Sequence, residues 1–447
     1  MEVQCRKAKT KLILLLNLFY GNIMKSKTID EINEKIASGE ANVFTAHELK
    51  ELIKEDNAPN FEEVDVVTCG TCGIMSGTAV IFHLDVFEPG LFKRAKNVYL
   101  NGVPGLAGPC PNEWLGSVDA IVYGTSHSIK DNRYGGGFLF KDIIDGKDIA
   151  IEVESTDGEH YSSSLTIENI PTAQMVGTRM AFKNYTSFVN PSKDPVSSIF
   201  NGIAMEGDFK SFSFSGCGEI NPLQNDPNQN TVIPGSKVLL NGSTGIILGN
   251  GTRSSDIKPN FMLSADMHEM KSEFLGGYKT AEGPEVFNAV AIPIPVLDEK
   301  ILNQLMILNH DIPLPIADIR GRHLPLSETT YEKVWNNFDE RPIFYEDKCI
   351  SCANCLVESR CPTFAFTTTF NDNNRQNKLD TEKCFGCGMC AYSCLARAFE
   401  MNTGSVAISI DDTVHDIPIA CRQSDIKRAK SLTNRLKDMI ENKEFEL

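Results

Sequence analysis

Cys349-Ile350-Ser351-Cys352-Ala353-Asn354-Cys355-Leu356-Val357-Glu358-Ser359-Arg360-Cys361-Pro362 is followed further along by Cys384-Phe385-Gly386-Cys387-Gly388-Met389-Cys390-Ala391-Tyr392-Ser393-Cys394. Eight of the chain's 14 cysteines lie in these two runs. Thiolate is a soft ligand for iron. A C-x-x-C-x-x-C loop wraps a cubane so that three irons take sulfur from one turn of chain, and the fourth needs a sulfur from elsewhere. A disulfide scaffold would spread its cysteines over a short secreted chain. Clustering within one segment of a long acidic chain points instead to metal ligation in a reducing compartment, the cytoplasm. Zinc sites are the alternative reading of the same runs.

The rest of the composition bounds what surrounds this segment. The chain has 447 residues, with Lys+Arg 43 against Asp+Glu 59 and a net charge of −16. By length it holds roughly three domains. A hydrophobic content of 41% and a charged content of 23% exclude a disordered chain. The acidic balance argues against nucleic acid as a partner, because phosphate contacts need a basic face. No apolar run approaches the roughly 18 residues that cross a bilayer, so no membrane association is expected.

Residues 1–23 place Arg6, Lys7, Lys9 and Lys11 ahead of an apolar stretch and read as a non-native leader or a start assigned too early. In the second case Met24 is the start and Thr28 caps a helix with Glu31 three residues on. Ile29, Ile32, Ile36, Leu49, Leu52 and Ile53 then keep a helical period to about Glu55. Between Asp65 and Val296 short apolar runs alternate with Gly-rich turns. They include 79–82, 98–100, 120–123, 149–153, 238–240 and 289–292, with Asn101-Gly102 and Asn241-Gly242 supplying hairpin turns. The expected fold class is α+β, a strand-rich, Gly-rich domain over 24–300. It is followed by a connector (301–340) with helices near 298–308 and 330–337, a small C-terminal cysteine domain (341–410), and a final segment (411–447) with a helix from about Asp425. Ile426, Ala429, Leu432, Leu436, Met439 and Ile440 form one stripe on that helix, as expected of a face docked on a core.

The cysteine runs resemble bacterial-type ferredoxins with two [4Fe–4S] clusters. The resemblance implies that the fourth cysteine of each run crosses to the other cluster. One cluster would take Cys349, Cys352, Cys355 and Cys394; the other would take Cys384, Cys387, Cys390 and Cys361. Two details depart from that pattern: five residues rather than three precede Cys361, and Leu395 stands where a proline commonly follows the last cysteine.

A second resemblance lies in the Gly-rich domain. Its landmarks are Asp65-Val66-Val67-Thr68-Cys69-Gly70-Thr71-Cys72-Gly73-Ile74-Met75-Ser76-Gly77, Val98–Pro104, Arg133–Gly137, Ser215-Gly216-Cys217-Gly218-Glu219-Ile220-Asn221-Pro222 and Ala291–Pro295. They resemble the archaeal homocysteine-biosynthesis domain associated with L-aspartate semialdehyde sulfurtransferase activity. The fusion to a cysteine module is similar to the methanogenesis marker 16 family. What these resemblances imply is sulfur insertion into an aldehyde-bearing acid, with electrons from the clusters.

Such chemistry asks for an accessible cysteine of low pKa and a group to resolve it. Cys69 and Cys72 form a C-x-x-C flanked by Gly70 and Gly73, and Cys217 and Cys110 are further candidates. The family's pattern carries a cysteine after the Met of the Gly-rich motif, where this chain has Ser76. The matching stretch for a second cysteine, 182–187, contains none. A structural pair or half a zinc site is the alternative for Cys69 and Cys72, and buried apolar packing the alternative for Cys110 and Cys217. Cys5 and Cys421 read as bystanders. Thr252 and Arg253, after Gly249-Asn250-Gly251, together with 241–245, are candidates for a substrate carboxylate. Tyr134-Gly135-Gly136-Gly137-Phe138 reads as an anion site at a helix start or as a tight turn.

Two classes of function follow: a sulfurtransferase-like redox enzyme fed by its own clusters, or a non-catalytic electron-transfer or assembly subunit. The expected partners of the enzyme are a small-molecule substrate and a sulfide or persulfide donor, with a redox protein as a further candidate. The cysteine spacing makes one prediction directly. Protein purified under anoxia carries about eight irons per chain, and iron analysis near four would end the two-cluster assignment.

Overall fold

Strand Val66–Ile74 is nearly all buried, and its neighbours explain the architecture. It pairs in parallel with the short strand Val43–Thr45 and antiparallel with the long strand Gly283–Pro295, in a register that sets Cys69 opposite Ile292 and Cys72 opposite Ala289. The computed structural model describes residues 26–447 except 109, 111, 184, 323, 372, 373, 411 and 412. The expectations for residues 1–23 and Cys5 lie outside the described residues.

Beyond Gly283–Pro295 the sheet continues through Lys237–Leu240, Ser243–Asn250, Phe261–Asp266, Thr172–Met180 and Thr78–Asp85. It goes on through Ser117–Tyr123, Val103–Ala107, Ala95–Leu100 and Ile149–Ser155 to His160–Leu165, with Leu275–Thr280 also paired to Gly283–Pro295, making 14 strands. All six apolar runs marked in the sequence lie in these strands. Both Asn-Gly pairs form the left-handed two-residue turns expected of them, with φ of 47° and 77° at Asn101-Gly102 and 54° and 88° at Asn241-Gly242. At the N-terminal side the helical stretch is two helices, Ile29–Ser38 and Ala46–Lys54, because Gly39 ends the first in the left-handed conformation and a strand intervenes. Thr28 and Glu31 make the expected capping box.

A second sheet of six strands changes the expected domain order. It runs Pro325–Thr330, Pro313–Asp318, Ser187–Val189, Phe212–Phe214, Thr413–Arg422 and Ser405–Ile410. Its strands come from the Gly-rich region, from the connector and from beyond the cysteines. The cysteine segment is therefore bracketed by this sheet rather than appended after a finished domain. It opens and closes on the paired strands Ile343–Phe344 and Phe399–Glu400 and carries a hairpin, Phe366–Asn371 with Asn374–Leu379. The fold is thus a strand-rich α+β structure with two large sheets and a cysteine-rich module near its C-terminal end. Among the described residues no helix is long and apolar enough to cross a membrane.

The last helix, Ile426–Glu441, is capped by Asp425, whose side chain accepts from the Arg428 N–H. Its stripe of Ile426, Ala429, Leu432, Leu436 and Ile440 is buried as expected, with Met439 partly so. It lies across strand Val66–Ile74, where Thr68 Oγ1 donates to the Thr433 carbonyl at 3.1 Å. A Cβ on Gly70 would come within 2.6 Å of Thr433 Cγ2 and 2.8 Å of the Ala429 carbonyl oxygen. Gly70 is there so that helix and strand can touch, not to aim N–H groups at a thiolate. Gly70→Ala should accordingly destabilise the fold by about 1–3 kcal/mol, read as a lower thermal midpoint. Gly249→Ala, where a Cβ meets nothing within 4 Å, should leave it unchanged.

Candidate functional site

Three residues apart on a helix, two thiols would be neighbours; three apart on a strand, they point to opposite faces. That is the arrangement of Cys69 and Cys72. Cys69 faces the Ala46–Lys54 helix, where Lys50 and, nearby, Asp226 act on it electrostatically. Cys72 faces the start of the last helix, where Asp425, Arg428, Arg341 and Cys217 act on it. The C-x-x-C pair therefore cannot resolve itself in this conformation. Cys217 is the nearer companion of Cys72: its Sγ donates to the Cys72 carbonyl at 3.7 Å, and it bonds the Thr71 and Ser424 side chains.

None of these three thiols is accessible. Cys69, Cys72 and Cys217 are all 0% exposed. Burial pushes Cys69 up to about 12 and Cys217 up to about 11, and raises Cys72 as well. The sequence expectation of low-pKa, exposed thiols is corrected on this point, because the strand that carries two of them is covered on both faces. Cys110 is exposed, with Sγ 3.5 Å from Asn112 Oδ1. Cys421 is buried and bonded to Tyr278 Oη at 3.0 Å.

The cavity best suited to a small molecule begins where strand Val66–Ile74 ends. It has a volume of about 530 Å³, and Ile74, Ser76 and Gly77 form one wall. Four cations, Arg179, Arg253, Lys258 and Arg322, line it with no carboxylate among the lining residues. Arg179 lies over the rings of Phe182 and Tyr185 at 5.0 and 5.8 Å, and its buried Nε has no hydrogen-bond partner. Arg322 lies over Phe200 at 5.3 Å. Desolvation, with help from Arg179, lowers the Lys258 pKa, and its Nζ donates to Thr186 Oγ1 at 3.3 Å. Cations stacked on rings and left without carboxylates constitute a site for an anion.

Thr252 and Arg253 stand in this cavity as the sequence reading allowed, whereas Asn241 is buried in its turn and bonded to Asn288. Arg179, Lys258 and Arg322 gave no local signal, since three distant segments bring them together. The floor of the cavity includes Ser215 and Gln423. Behind it, Ser424 Oγ lies 3.5 Å from Ser215 Oγ, accepts from the Gly216 N–H at 2.6 Å and also bonds Cys217. One hydrogen-bonded layer thus separates Cys217 from the cavity. Glu285, bonded to Ser76, is buried, and desolvation raises its pKa. The Gly135–Gly137 turn is a packing device: a Cβ on Gly136 would lie 2.1 Å from the Tyr123 carbonyl oxygen. A wider groove of about 900 Å³ beside Lys383 and Arg428 differs in carrying both charge signs, with the carboxylates Asp145, Glu273, Asp380 and Glu382 among its cations.

In the cysteine module, Cys361 acts electrostatically on Cys384, Cys387 and Cys390 of the second run, and Cys421 acts on Cys387 as well. The long spacer before Cys361 is one helical turn, Leu356–Arg360. Cys349, Cys355 and Cys394, together with Cys390 of the second run, pack against an apolar cluster that includes Phe366 and Phe399. Backbone N–H groups address the sulfurs: Ala365 to Cys361 at 3.2 Å, Gly386 to Cys384 at 3.4 Å and Ala398 to Cys394 at 3.4 Å. The Asn377 amide adds a contact to Cys349 at 3.6 Å. Such donors favour sulfur carrying negative charge, as in ligation to iron. Among the described residues no three candidate ligands converge as a single metal ion requires. Cubane thiolates stand further apart, each on its own iron.

Comparison with known proteins gives one family match and three relatives. Residues 41–447 match the family model described as homocysteine biosynthesis enzyme, sulfur-incorporation. A protein of Methanothermobacter thermautotrophicus described as uncharacterized is 52% identical over 417 residues, 93% of this chain and 94% of that one. The L-aspartate semialdehyde sulfurtransferase of Methanocaldococcus jannaschii is 31% identical over 329 residues, 70% of this chain and 62% of the relative. Pyruvate synthase subunit PorD of Methanothermobacter marburgensis is 33% identical over 67 residues, 15% of this chain and 69% of PorD. No solved structure matches.

The burial of the thiols is open to direct test. Brief alkylation of the native protein, mapped by mass spectrometry, should label Cys110 while Cys69, Cys72 and Cys217 react only after denaturation. Native labelling of Cys72 at the rate of Cys110 would contradict the packing described.

Proposed function

The chain belongs to the homocysteine-biosynthesis, sulfur-incorporation family, and from that membership we propose that it inserts sulfur into a small anionic carbonyl compound held in the four-cation cavity. The observation that carries this reading is the cavity itself. It joins Ser76, at the position where the family's pattern carries a cysteine, to the 182–186 stretch where a second would stand, and it offers four cations to an acid. Its lining has no carboxylate to receive an ammonium group, which favours an acid without an amino group over aspartate semialdehyde. Homocysteine formation from the latter is therefore the less favoured substrate within the same chemistry.

The reaction balances when an aldehyde, hydrogen sulfide, two electrons and two protons give a primary thiol and water. The carbonyl oxygen leaves as the water, and the carbon–sulfur bond takes its place. Arg179, Arg253, Lys258 and Arg322 bind and orient the acid. Phe182, Tyr185, Phe188 and Phe200 exclude water from the carbonyl end. Glu285 is a carboxyl able to hold a proton beside Ser76. Cys217 and Cys72 are the sulfur carriers in this proposal when the donor is a persulfide. Its outer sulfur passes to the carrier thiol, the donor leaves as a thiol, and releasing that sulfur at the sulfide level takes two further electrons and two protons. Displacement of the Ser215–Ser424 layer opens the way to them. Cys69, on the opposite face, and Cys110, outside the cavity, remain weaker candidates for the same role. Two [4Fe–4S] clusters, one on Cys349, Cys352, Cys355 and Cys394 and one on Cys384, Cys387, Cys390 and Cys361, would supply one electron each.

That no thiol lines the cavity favours a second reading, in which the chain is an electron-transfer or assembly subunit and its Gly-rich domain docks a partner. The two part in one experiment. Anoxic assays with sulfide, a low-potential reductant and short aldehyde acids should yield a thiol product. Arg179→Ala and Arg253→Ala should raise KM about ten- to hundredfold, as loss of a hydrogen bond to a charged group does. No thiol from any anionic aldehyde, with a second protein retained through purification, would favour the subunit reading.

A further inference from the structure

The two halves of the cysteine module sit in unlike surroundings. Cys349, Cys352, Cys355 and Cys394 are half-exposed, and the residues after the first and last of them, Ile350 and Leu395, are 69% and 82% exposed. Cys384 and Cys387 are buried, with their loop turned toward the large sheets. There the Arg422 N–H donates to the Cys387 carbonyl at 2.9 Å, and the Arg428 guanidinium donates to the Cys384 carbonyl at 2.7 Å.

Charge in this layer does not balance. Arg341 and Arg428 share one carboxylate, Asp425. Arg422, only 1% exposed, makes no ion pair among the described residues, and the Asp339 carboxylate acts on it only at longer range. Its Nη atoms donate to the carbonyls of Asp339, Asn402 and Thr403 at 3.0–3.1 Å, and its plane lies 5.0 Å from the Phe338 ring and 5.5 Å from Trp335. Its Nε has no partner. A buried guanidinium hydrogen-bonded only to carbonyls and stacked on rings is expensive unless negative charge lies close by. The thiolates of the second run, together with Cys361, are the candidates within reach, since Cys387 acts on Arg422 electrostatically.

We infer that Arg422, with Arg341 and Arg428 beside it, is the charge partner of a cluster held by Cys384, Cys387, Cys390 and Cys361, and gives that inner site a higher potential than the outer one. Burial alone would work against an added negative charge; three guanidiniums against two carboxylates, Asp425 and Asp339, reverse the balance. The outer site then loses one electron and the inner site gains it, with no bond or proton exchanged. The electron comes from an external low-potential one-electron carrier that meets the exposed end. Arg422 is in this sense a positioning residue for charge, and the direction of flow is inward, toward the layer that holds Cys72.

The inference rests on the two-cluster reading, and its test separates the two. Full-length protein is reconstituted under anoxia, its iron is counted, and the clusters are titrated with dithionite and mediators while EPR is recorded. Two midpoints are expected. Arg422→Met should lower the higher one so that the reduced-to-oxidised ratio at fixed potential falls at least tenfold, about 59 mV for one electron, and leave the lower one in place. Arg422→Lys should restore most of the shift. If Arg422→Met does not assemble, Arg341→Met is read in its place and should move the same midpoint. Iron near four per chain would end the two-cluster reading, about eight being expected. A full complement of iron with both midpoints unmoved, or both moved equally, would overturn the role of Arg422.

Discussion

Strand Val66–Ile74 has no free face. One side is pressed by the helix Ile426–Glu441, so closely that Gly70 admits no Cβ, and the other by the helices Ala46–Lys54 and Pro222–Asn225. Everything of functional interest is placed by that double cover. It buries Cys69 and Cys72 on opposite sides, forces the chain to emerge at Met75-Ser76 into the cavity, and fixes Asp425 where it can hold Arg341 and Arg428 against the cysteine loop.

The cover also accounts for Lys50. Its ammonium is 0% exposed, donates to Asn225 Oδ1 at 2.8 Å and to the Leu305 carbonyl, and is pushed by burial down to about 8. The bonds tie helix Ala46–Lys54 to helix Pro222–Asn225, which covers the same face of the strand, and to the segment at Leu305. A lysine so held acts as a clamp between those segments, and it keeps Cys69 away from solvent. The cost of its desolvation is offset by two neutral acceptors and, at longer range, by the Glu219 carboxylate.

Local chemistry was legible in the sequence and tertiary partnership was not. The Thr28–Glu31 capping box, the Asn-Gly turns, the stripe on the last helix and the cysteine spacing are all set by neighbours a few residues away. The C-x-x-C of Cys69 and Cys72 misleads because its meaning depends on backbone period: on a helix the thiols converge, on this strand they diverge. The four cations of the cavity come from segments around 179, 253, 258 and 322, and no window of sequence contains their shared solvent exclusion. Arg422 was silent for the same reason, since an arginine in an alternating strand reads as a solvent-facing residue until its burial is seen.

The return of the chain from the cysteine module into the six-stranded sheet bears on how the protein is made. Strand Val66–Ile74 leaves the ribosome long before the helix that covers it, and that helix follows the cysteines in sequence. Its contacts with the strand are among the most distant in the chain, and contacts of that kind form late. Until they form, the Cys72 face of the strand stands open. Sealing of the central strand therefore cannot precede synthesis of the cysteine loops.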